Sequence, residues 1–238
     1  MLRQMMNGRI AIITGGGGNI GSGVCRAMAK AGATVVALDL DPAGADAAAR
    51  AIACDVTDPA ACESAVAAVV REFGGVDTLV NAAQQFRAGI PLVALTDDDM
   101  RVSFESGPIA TLRMMQLCYP QIKARGGGAI INFASGVGTQ GMVGAGAYAA
   151  AKEAIRGLTK VAALEWGREN IRVNVICPVA SGDPEHAPWV PSARAINPMG
   201  RIGDPEADIG AAVVYLAGPG SYVNGRTLHV DGGVGVWR

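Results

Sequence analysis

The stretch Ile10-Ala-Ile-Ile-Thr-Gly15-Gly-Gly-Gly-Asn-Ile-Gly21 decides the fold of this chain. Its aliphatic residues predict a short strand, its glycines predict a tight turn, and the segment that follows predicts a helix. Glycines let a backbone turn sharply and approach a pyrophosphate, whose negative charge the N-terminus of the following helix stabilises. The spacing Gly16-x-Gly18-x-x-Gly21 is that of a dinucleotide-binding turn. From this turn we predict five cofactor-binding residues: Gly15, Gly18, Asn19, Ile20 and Gly21.

An acidic residue downstream strengthens the prediction of a dinucleotide site. Asp39 ends a second predicted strand, 18 residues after Gly21. A carboxylate at this position accepts hydrogen bonds from the ribose hydroxyls of adenosine and repels a 2′-phosphate. We therefore predict that Asp39 binds the cofactor, and that the cofactor is NAD rather than NADP.

Short aliphatic runs alternate with longer alanine-rich segments along the whole chain. The predicted strands are Arg9–Thr14, Thr34–Leu38, Thr78–Asn81, Ala129–Phe133, Arg172–Cys177 and Thr227–Val230. The predicted helices are Ile20–Ala31, Pro59–Phe73, Asp97–Ala124, Ala145–Arg168 and Pro205–Leu216. Apolar strands separated by helices indicate a parallel sheet covered on both faces, and right-handed crossovers make it doubly wound. Because no repeat or linker interrupts the pattern, we expect residues 1–238 to form a single α/β domain of Rossmann type.

The composition excludes several other classes of protein. Of the 238 residues, 50% are hydrophobic and 17% are charged, and the net charge is −1. Neither a disordered chain nor a nucleic-acid partner is therefore expected. No apolar run reaches the roughly 18 residues of a membrane span, and the first run is too short for a signal peptide. The five cysteines are odd in number and lack C-x-x-C spacing, so we expect reduced thiols in a cytoplasmic protein without a metal site.

Two residues on one predicted helix offer acid–base chemistry. Tyr148 and Lys152 are four positions apart, which places them on one helix face a turn apart. A free phenol has a pKa of about 10, and we expect a neighbouring ammonium or a positively charged nicotinamide to lower it. Ser135 follows a predicted strand, where its hydroxyl would bind a substrate oxygen. Taken singly, each residue has a plainer interpretation: a tyrosine at a rim, a solvated lysine and a serine that begins a loop.

Jointly, the motifs of this chain resemble those of the short-chain dehydrogenase/reductase family over nearly its whole length. They are Thr14-Gly15-x-x-x-Asn19-x-Gly21, Asp55-Val56, Asn81-Ala-Ala83, Ser135, Tyr148-x-x-x-Lys152, Asn174-x-x-x-Pro178, Met199–Glu206 and Gly225–Gly233. The resemblance implies a seven-stranded parallel sheet and hydride transfer between NAD(P) and a small-molecule carbonyl or secondary alcohol. It also implies a homo-oligomer, either a dimer or a tetramer, packed partly through the long helices.

The same resemblance implies a role for each matching residue. Tyr148 would be the general acid/base, Lys152 would hold the nicotinamide ribose and tune the tyrosine, and Ser135 would orient the substrate oxygen. The other matching residues would surround the cofactor: Asp55 and Val56 at the adenine, Asn81 with Ala82 beneath the cofactor, and Pro178 and Val179 beside the nicotinamide.

Three motifs in the first half of the chain depart from the family pattern. Asn19 replaces a glycine, and because asparagine tolerates left-handed backbone angles, we expect the turn to be preserved. Ala83 also replaces a glycine, which is a minor change. The asparagine that supports a proton relay in the family falls at or beside Gly107, so the usual tetrad would be reduced to a triad. Gly107-Pro108 would also kink or restart the predicted helix.

A fourth departure follows Pro178. Val179 replaces a glycine, and the segment 180–198 is shorter than the usual substrate lid. Loops rich in turn-forming residues commonly close over a substrate, so Trp189 would either form an apolar wall or pack against the body or a neighbouring subunit. His186, in the same segment, is expected at the surface.

Two functions of different classes remain open at this point. The first is an NAD-dependent oxidoreductase acting on a ketone or secondary alcohol, of the 3-oxoacyl-reductase-like or small-alcohol type. The second is a nucleotide-binding protein with little catalysis, a cofactor sensor or assembly partner, as Gly107 and the short lid suggest. The presence of Ser135, Tyr148 and Lys152 together favours the enzyme, since a chain without catalysis would not need all three.

Overall fold

The computed structural model describes residues 5–185, 187–218 and 221–235. Its strands are β1 (Ile10–Thr14), β2 (Thr34–Asp39), β3 (Arg50–Ala53), β4 (Thr78–Asn81), β5 (Gly128–Phe133), β6 (Ile171–Pro178) and β7 (Thr227–Val230). Its α-helices are α1 (Asn19–Lys30), α2 (Pro59–Phe73), α3 (Asp97–Phe104), α4 (Ala110–Ala124), α5 (Gly136–Gln140), α6 (Gly146–Trp166), α7 (Val190–Ile196) and α8 (Ala211–Ala217). Two π-helical turns cover Glu105–Ile109 and Pro205–Gly210. The strands form one parallel sheet in the order β3-β2-β1-β4-β5-β6-β7.

Helices cover both faces of the sheet because side chains alternate along each strand. In β1, Ala11 and Ile13 belong to a buried cluster that includes residues of α1 and α8. Ile12 belongs to a second buried cluster, on the other face, that includes residues of α2 and α4. The predicted doubly wound α/β fold is thereby confirmed. None of the helices in the described ranges is both long and apolar enough to span a membrane.

The strand order reverses between β1 and β4, and this reversal creates the place for a ligand. The connection from β1 leads to β2 on one side, whereas β4 lies on the other side of β1. The loops that leave the carboxyl ends of β1 and β4 therefore diverge and open a crevice, where open α/β sheets bind their ligands. The glycine turn follows β1, and residues 82–89 follow β4, so both line the same crevice.

All six strands predicted from the aliphatic runs are present. The seventh strand, β3, was not predicted. It lies at the edge of the sheet, and three of its four residues are exposed. An exposed edge strand needs no continuous aliphatic run, so the pattern contains no signal for Arg50–Ala53. The seven strands that the family resemblance implies are confirmed.

The helix predicted over Asp97–Ala124 is interrupted. The structure divides it into α3, the π-helical turn Glu105–Ile109 and α4; we call this turn the π segment. Pro108 has no N–H to close a helical hydrogen bond, and its ring crowds the preceding turn, so the helix widens there. The predicted bounds Asp97 and Ala124 are confirmed, as is the prediction that Gly107-Pro108 disturbs the helix.

A buried carboxylate fixes the opposite, amino-terminal edge of the sheet. Asp77 precedes β4 and accepts hydrogen bonds from Arg9 Nη1 at 3.0 Å and from Arg125 Nε and Nη2 at 3.1 Å each. It also accepts one from the backbone N–H of Ile10 at 2.9 Å. The carboxylate therefore joins the starts of β1 and β4 to the segment that follows α4.

Replacing Asp77 with Asn should lower the free energy of unfolding by about 2 kcal/mol, because two guanidinium groups lose their buried anion. The effect is smaller than for a fully buried pair, since both arginines are about one-third exposed. Urea unfolding followed by circular dichroism measures it. Asp98→Asn is the matched control, because its ion pair with Arg101 is exposed and should contribute less than about 0.5 kcal/mol. Equal effects of the two substitutions would contradict the role of Asp77.

Candidate active site

A cleft of about 470 Å³ opens at the carboxyl ends of β1 and β4. Most of the predicted cofactor residues line it: Gly15, Gly18, Asn19, Ile20, Gly21, Asp39, Asp55, Val56 and Ala82. The cleft also contains residues that the sequence analysis did not select: Cys54, Gln84, Gln85, Phe86 and Ala180 among them. Gln84, Gln85 and Phe86 lie in the loop after β4, where no motif marked them.

The glycine turn is built on close backbone approaches. Gly15 has a φ of +70°, and a Cβ there would lie 2.8 Å from the backbone nitrogen of Ala83. A Cβ on Gly21 would lie 1.9 Å from the carbonyl oxygen of Gly15. Only glycine allows both the left-handed angle and these approaches. The turn therefore leaves its backbone exposed to the cleft, without side chains between it and a ligand.

The first turn of α1 provides the donors for an anion. Gly18 is the N-cap of α1 and supplies no side-chain hydrogen bond to the helix. The first N–H groups of an α-helix have no partner within the helix and carry its positive partial charge. These donors face the cleft through Asn19, Ile20 and Gly21, and they fit a pyrophosphate.

Asn19 has a different role from the one that its sequence suggests. The only residue other than glycine with a positive φ in the described ranges is Asn170, so the tolerance of Asn19 for left-handed angles is not used. Instead, its side-chain Oδ1 accepts a hydrogen bond from the backbone N–H of Gly182. Asn19 therefore anchors the segment after β6 on the glycine turn.

Asp39 lies at the end of β2 and lines the cleft, as predicted. Its Oδ2 accepts a hydrogen bond from the backbone N–H of Gly17 at 2.9 Å, and its Oδ1 accepts one from Asp41 at 3.2 Å. The carboxylate thus supports the glycine turn, a contact that the sequence analysis did not predict. Its predicted role toward an adenosine ribose stays a prediction.

Asp55 and Val56 also lie where the resemblance implies. The Oδ1 of Asp55 accepts hydrogen bonds from the backbone N–H and the hydroxyl of Thr57, at 2.8 and 2.7 Å. The carbonyl oxygen of Val56 accepts one from Arg113 Nη1 at 2.6 Å. These contacts fix the loop after β3, and they leave Oδ2 of Asp55 available to an adenine.

One predicted residue lies deeper than the cleft, and two lie beside it. Asn81 is buried at the end of β4 and donates from Nδ2 to Asn132 Oδ1 at 2.9 Å, while its own Oδ1 has no partner. Pro178 ends β6, and Val179 lines an adjacent cavity of about 540 Å³. The next residue, Ala180, is the one that lines the cleft itself.

Tyr148, Lys152 and Ser135 come together at the start of α6. Tyr148 and Lys152 lie one turn apart, and the ammonium nitrogen of Lys152 is 5.4 Å from the centre of the tyrosine ring. Lys152 is buried and donates to the carbonyl oxygen of Phe133 at 2.7 Å. Ser135 begins α5, where its Oγ accepts a hydrogen bond from Val137 N–H at 3.1 Å. Phe86 packs edge-on against Tyr148, with ring centres 4.7 Å apart.

The pKa values of this group differ from the sequence expectation. Burial raises the pKa of Tyr148 to about 12, although hydrogen bonding to Ser135 opposes the shift. Burial also lowers the pKa of Lys152 to about 7. In the protein without a cofactor, desolvation thus shifts the phenol pKa upward, opposite to the lowering that the sequence analysis expects from Lys152. A proton stays on Tyr148 at neutral pH.

The segment after β6 forms a short cover. It contains α7, and Trp189 stands before that helix with 44% of its surface exposed. Trp189 is therefore partly covered by its own chain and partly open to solvent, and both interpretations of this residue stay open. His186 lies outside the described residues.

The residues present fit a nicotinamide dinucleotide. The glycine turn has no room for side chains, α1 offers unpaired N–H groups, and Asn81 offers an unpartnered buried oxygen beneath the cleft. Buried polar atoms without a partner are rare and point to a ligand or water. Asp39 and Asp55 line the cleft, and Tyr148 lies beside it, packed against Phe86.

Comparisons with known proteins agree with this geometry. The family model described as enoyl-(acyl carrier protein) reductase matches residues 17–235. The chain is 43% identical to a 12alpha-hydroxysteroid dehydrogenase of Clostridium sp., over 97% of this chain and 98% of that protein. It is 32% identical to a 3-oxoacyl-(acyl-carrier-protein) reductase of Vibrio cholerae, over 96% and 98%. A solved structure described as a short-chain dehydrogenase/reductase from Burkholderia xenovorans superposes with a TM-score of 0.91 at 30% identity, over 99% of both chains.

The pKa of Lys152 predicts a pH-dependent stability. Its folded value of about 7 lies below the model value of 10.5, so the unfolded chain binds more protons between these pH values and stability rises with pH. Relative to Lys152→Met, the unfolding free energy of the wild type should gain about 2–3 kcal/mol between pH 7 and 9.5. Lys160→Met, the same exchange at an exposed site on α6, should leave the pH dependence unchanged. Parallel curves for the wild type and Lys152→Met would show that Lys152 stays charged throughout.

Proposed function

Because this chain belongs to the short-chain dehydrogenase/reductase family, we propose that it transfers a hydride between NAD and a ketone or secondary alcohol, with Tyr148 as the general acid/base. That it is an oxidoreductase of alcohols and carbonyls, using NAD(P), follows from its relatives. These relatives are named dehydrogenases and reductases, which favours the enzyme over a cofactor sensor. The assignment of the catalytic residues rests on one observation. Ser135, Tyr148 and Lys152 lie close together beside the cleft. The proposal treats the whole chain, residues 1–238, as one cofactor- and substrate-binding domain.

Three side chains of the protein carry the proton chemistry. When bound, the nicotinamide accepts or supplies the hydride. Tyr148, protonated at neutral pH, donates its proton to the carbonyl oxygen during reduction. In the oxidation direction, the phenol first releases its proton to solvent, and the phenolate then accepts the proton of the alcohol hydroxyl. Ser135 hydrogen-bonds the same substrate oxygen and holds it at the phenol. Lys152, as an ammonium, binds the nicotinamide ribose and stabilises the phenolate after the proton has left.

The choice of NAD over NADP rests on Asp39. Its carboxylate lies in the cleft at the end of β2, beside the glycine turn. A ribose hydroxyl would donate to it, whereas a 2′-phosphate would meet a second negative charge. Asp39 therefore disfavours NADP for two reasons: the carboxylate loses the hydrogen bond from the ribose hydroxyl, and it repels the 2′-phosphate.

The mouth of the site favours an apolar substrate of considerable size. Phe86, Leu92, Met142 and Val143 are exposed on the two loops that flank Tyr148, and these loops are joined by a hydrogen bond from Ile90 N–H to Gly144 O. Exposed apolar groups clustered at a cleft mark a binding surface. The 43% identity to a protein named 12alpha-hydroxysteroid dehydrogenase supports a bulky alicyclic alcohol over the 3-oxoacyl or small-alcohol substrates that the sequence suggested.

We also propose that the protein is a homo-oligomer and lies in the cytoplasm. Val161 and Leu164 are exposed on α6, and Leu112 is exposed on α4, next to the exposed Ile109 at the end of the π segment. These apolar side chains on the two long helices support a dimer or homotetramer that packs through them. The five cysteines are all buried free thiols, in keeping with a reducing compartment.

Removing the hydroxyl of Tyr148 tests the reaction. Tyr148→Phe should lower kcat at least about 100-fold, the usual contribution of a general acid, and should leave NADH affinity within about twofold. Oxidation of a hydroxysteroid and of cyclohexanol, followed by NADH absorbance, measures turnover, and calorimetry measures affinity. Tyr215→Phe, the same exchange on exposed α8, is the control. Undiminished turnover in Tyr148→Phe would overturn the proposed mechanism.

Replacing Asp39 with Asn tests the cofactor preference. The amide keeps an oxygen to accept the hydrogen bond of Gly17 but removes the negative charge, so the turn survives. We expect the ratio of NADH to NADPH affinity to fall about tenfold, or about 1.4 kcal/mol. Asp41→Asn, two residues away, should leave the ratio unchanged. A wild type that already prefers NADPH would contradict the role given to Asp39.

A further inference from the structure

The proposed reaction uses none of the five cysteines, yet two of them lie together at the cleft. Cys54 follows β3 and lines the cleft. Cys62 lies in the first turn of α2, eight positions later, and belongs to the same buried cluster as Cys54. The thiol of Cys54 donates a hydrogen bond to the sulfur of Cys62. Two thiols in contact at a ligand cleft form a candidate site of oxidation.

The chain between these two cysteines turns back on itself. The backbone N–H of Asp58 donates to Asp55 O at 3.1 Å, and the backbone N–H of Cys62 donates to Asp58 O at 3.1 Å. Sγ of Cys62 therefore lies 3.7 Å from the carbonyl oxygen of Asp55, the residue directly after Cys54. It also lies 3.5 Å from the carbonyl oxygen of Val56. The backbone thus brings the two sulfurs to the same side of the loop after β3.

The surroundings of the pair favour a thiolate. The hydrogen bond from Cys54 lowers the pKa of Cys62, and the nearby guanidinium of Arg113 also lowers it. Arg113 is held at this loop because its Nη1 donates to Val56 O at 2.6 Å. The same hydrogen bond raises the pKa of Cys54, so the two sulfurs share one proton and one negative charge. Since the thiolate is the nucleophilic form of cysteine, the pair holds a nucleophile at the wall of the cleft.

The other three cysteines lie in surroundings that keep them neutral. Burial raises the pKa of Cys25 and of Cys118 to about 12, and that of Cys177 to about 11. Buried neutral thiols are inert. Cys118, on α4, is near enough to Cys62 for the charge of Cys62 to contribute to its raised pKa. It is therefore the alternative partner that a test has to exclude.

We propose that Cys54 and Cys62 form a reversible disulfide on reaction with a hydroperoxide, and that this bond weakens the binding of NADH in the cleft. The effect on NADH rests on the proposed function, whereas the formation of the disulfide does not. Disulfides in a reducing compartment are transient and act in catalysis or redox sensing. A reversible bond therefore agrees with the free thiols of this structure.

Two steps form the bond. The shared proton moves to Cys62, and the thiolate of Cys54, at the cleft wall, attacks one oxygen of hydrogen peroxide. The O–O bond breaks, the departing hydroxide takes the proton of Cys62 to form water, and Cys54 becomes a sulfenic acid. The thiolate of Cys62 then attacks the sulfenic sulfur, the S–O bond breaks, and the hydroxide leaves as water after it gains a proton from solvent. Two thiols thus give two electrons and two protons to the peroxide, which becomes two molecules of water.

The new bond changes the wall of the cleft. It shortens the separation of the two sulfurs from a non-bonded contact to about 2.05 Å, which draws the loop after β3 toward α2. It also removes the thiol hydrogen that Cys62 donates to the carbonyl oxygens of this loop. Because Asp55 and Val56 belong to the loop and line the cleft, this wall moves away from a bound nucleotide.

Peptide mapping after peroxide treatment tests the site. The reduced protein is treated with a small excess of hydrogen peroxide, the remaining thiols are alkylated in denaturant, and the peptides are identified by mass spectrometry. We expect one disulfide, between Cys54 and Cys62, with the other three cysteines alkylated, and dithiothreitol should reverse it. A disulfide between Cys62 and Cys118, or a pair that stays reduced, overturns the proposal.

Two variants separate the roles of the thiols. Cys62→Ser keeps a hydroxyl that donates to the loop but cannot form the disulfide, so the sulfenic acid of Cys54 should persist and be labelled by dimedone. Cys118→Ala is the matched control, and it should form the same disulfide at the rate of the wild type. Absence of dimedone at Cys54 in Cys62→Ser overturns the proposed attack by Cys54.

Calorimetry of NADH binding tests the consequence. Oxidation of the wild type should weaken NADH affinity at least about tenfold, and dithiothreitol should restore it. Saturating NADH should slow the oxidation, because the nucleotide covers Cys54. Unchanged affinity of the oxidised protein overturns the proposed effect on the cleft. If the reduced protein binds no NADH, the proposed function fails, and peptide mapping alone decides whether the disulfide forms.

Discussion

The structure depends on one contact between two backbones, where the turn after β1 meets the loop after β4. A side chain at Gly15 would collide with Ala83, and one at Gly21 would collide with Gly15 itself. This approach sets the position of α1 relative to the sheet, and hence the direction of the unpaired N–H groups that face the cleft. It also sets the start of the loop that brings Gln84 and Phe86 to the active site. The cofactor end and the chemical end of the cleft are therefore fixed by a single close approach.

Much of this arrangement follows from local sequence, and the exceptions have identifiable physical reasons. Buried strands and the glycine turn leave strong patterns because burial and close approach restrict residue type. The edge strand β3 leaves none, because most of its side chains face solvent. The role of Asn19 depends on Gly182, which is distant in sequence. The pKa of Tyr148 depends on burial and on where Lys152 lies above the ring, which helical spacing alone does not reveal.

The active site buries a lysine side chain, which is unfavourable for its charged form. Lys152 is almost fully enclosed, and among the described residues it hydrogen-bonds a backbone carbonyl of β5. An ammonium in such surroundings is held only by acceptors that reach it. The carbonyl of Phe133 is one such acceptor, and the ring of Tyr148 lies on another side of the ammonium.

The hydrogen bond between Asn19 and Gly182 has a consequence for the cover of the site. It attaches the short cover that contains α7 to the turn that would receive the pyrophosphate. Asn19 therefore joins two segments that are 163 positions apart in the sequence, the turn after β1 and the segment after β6. A change in the glycine turn would thus reach the cover through a single side chain.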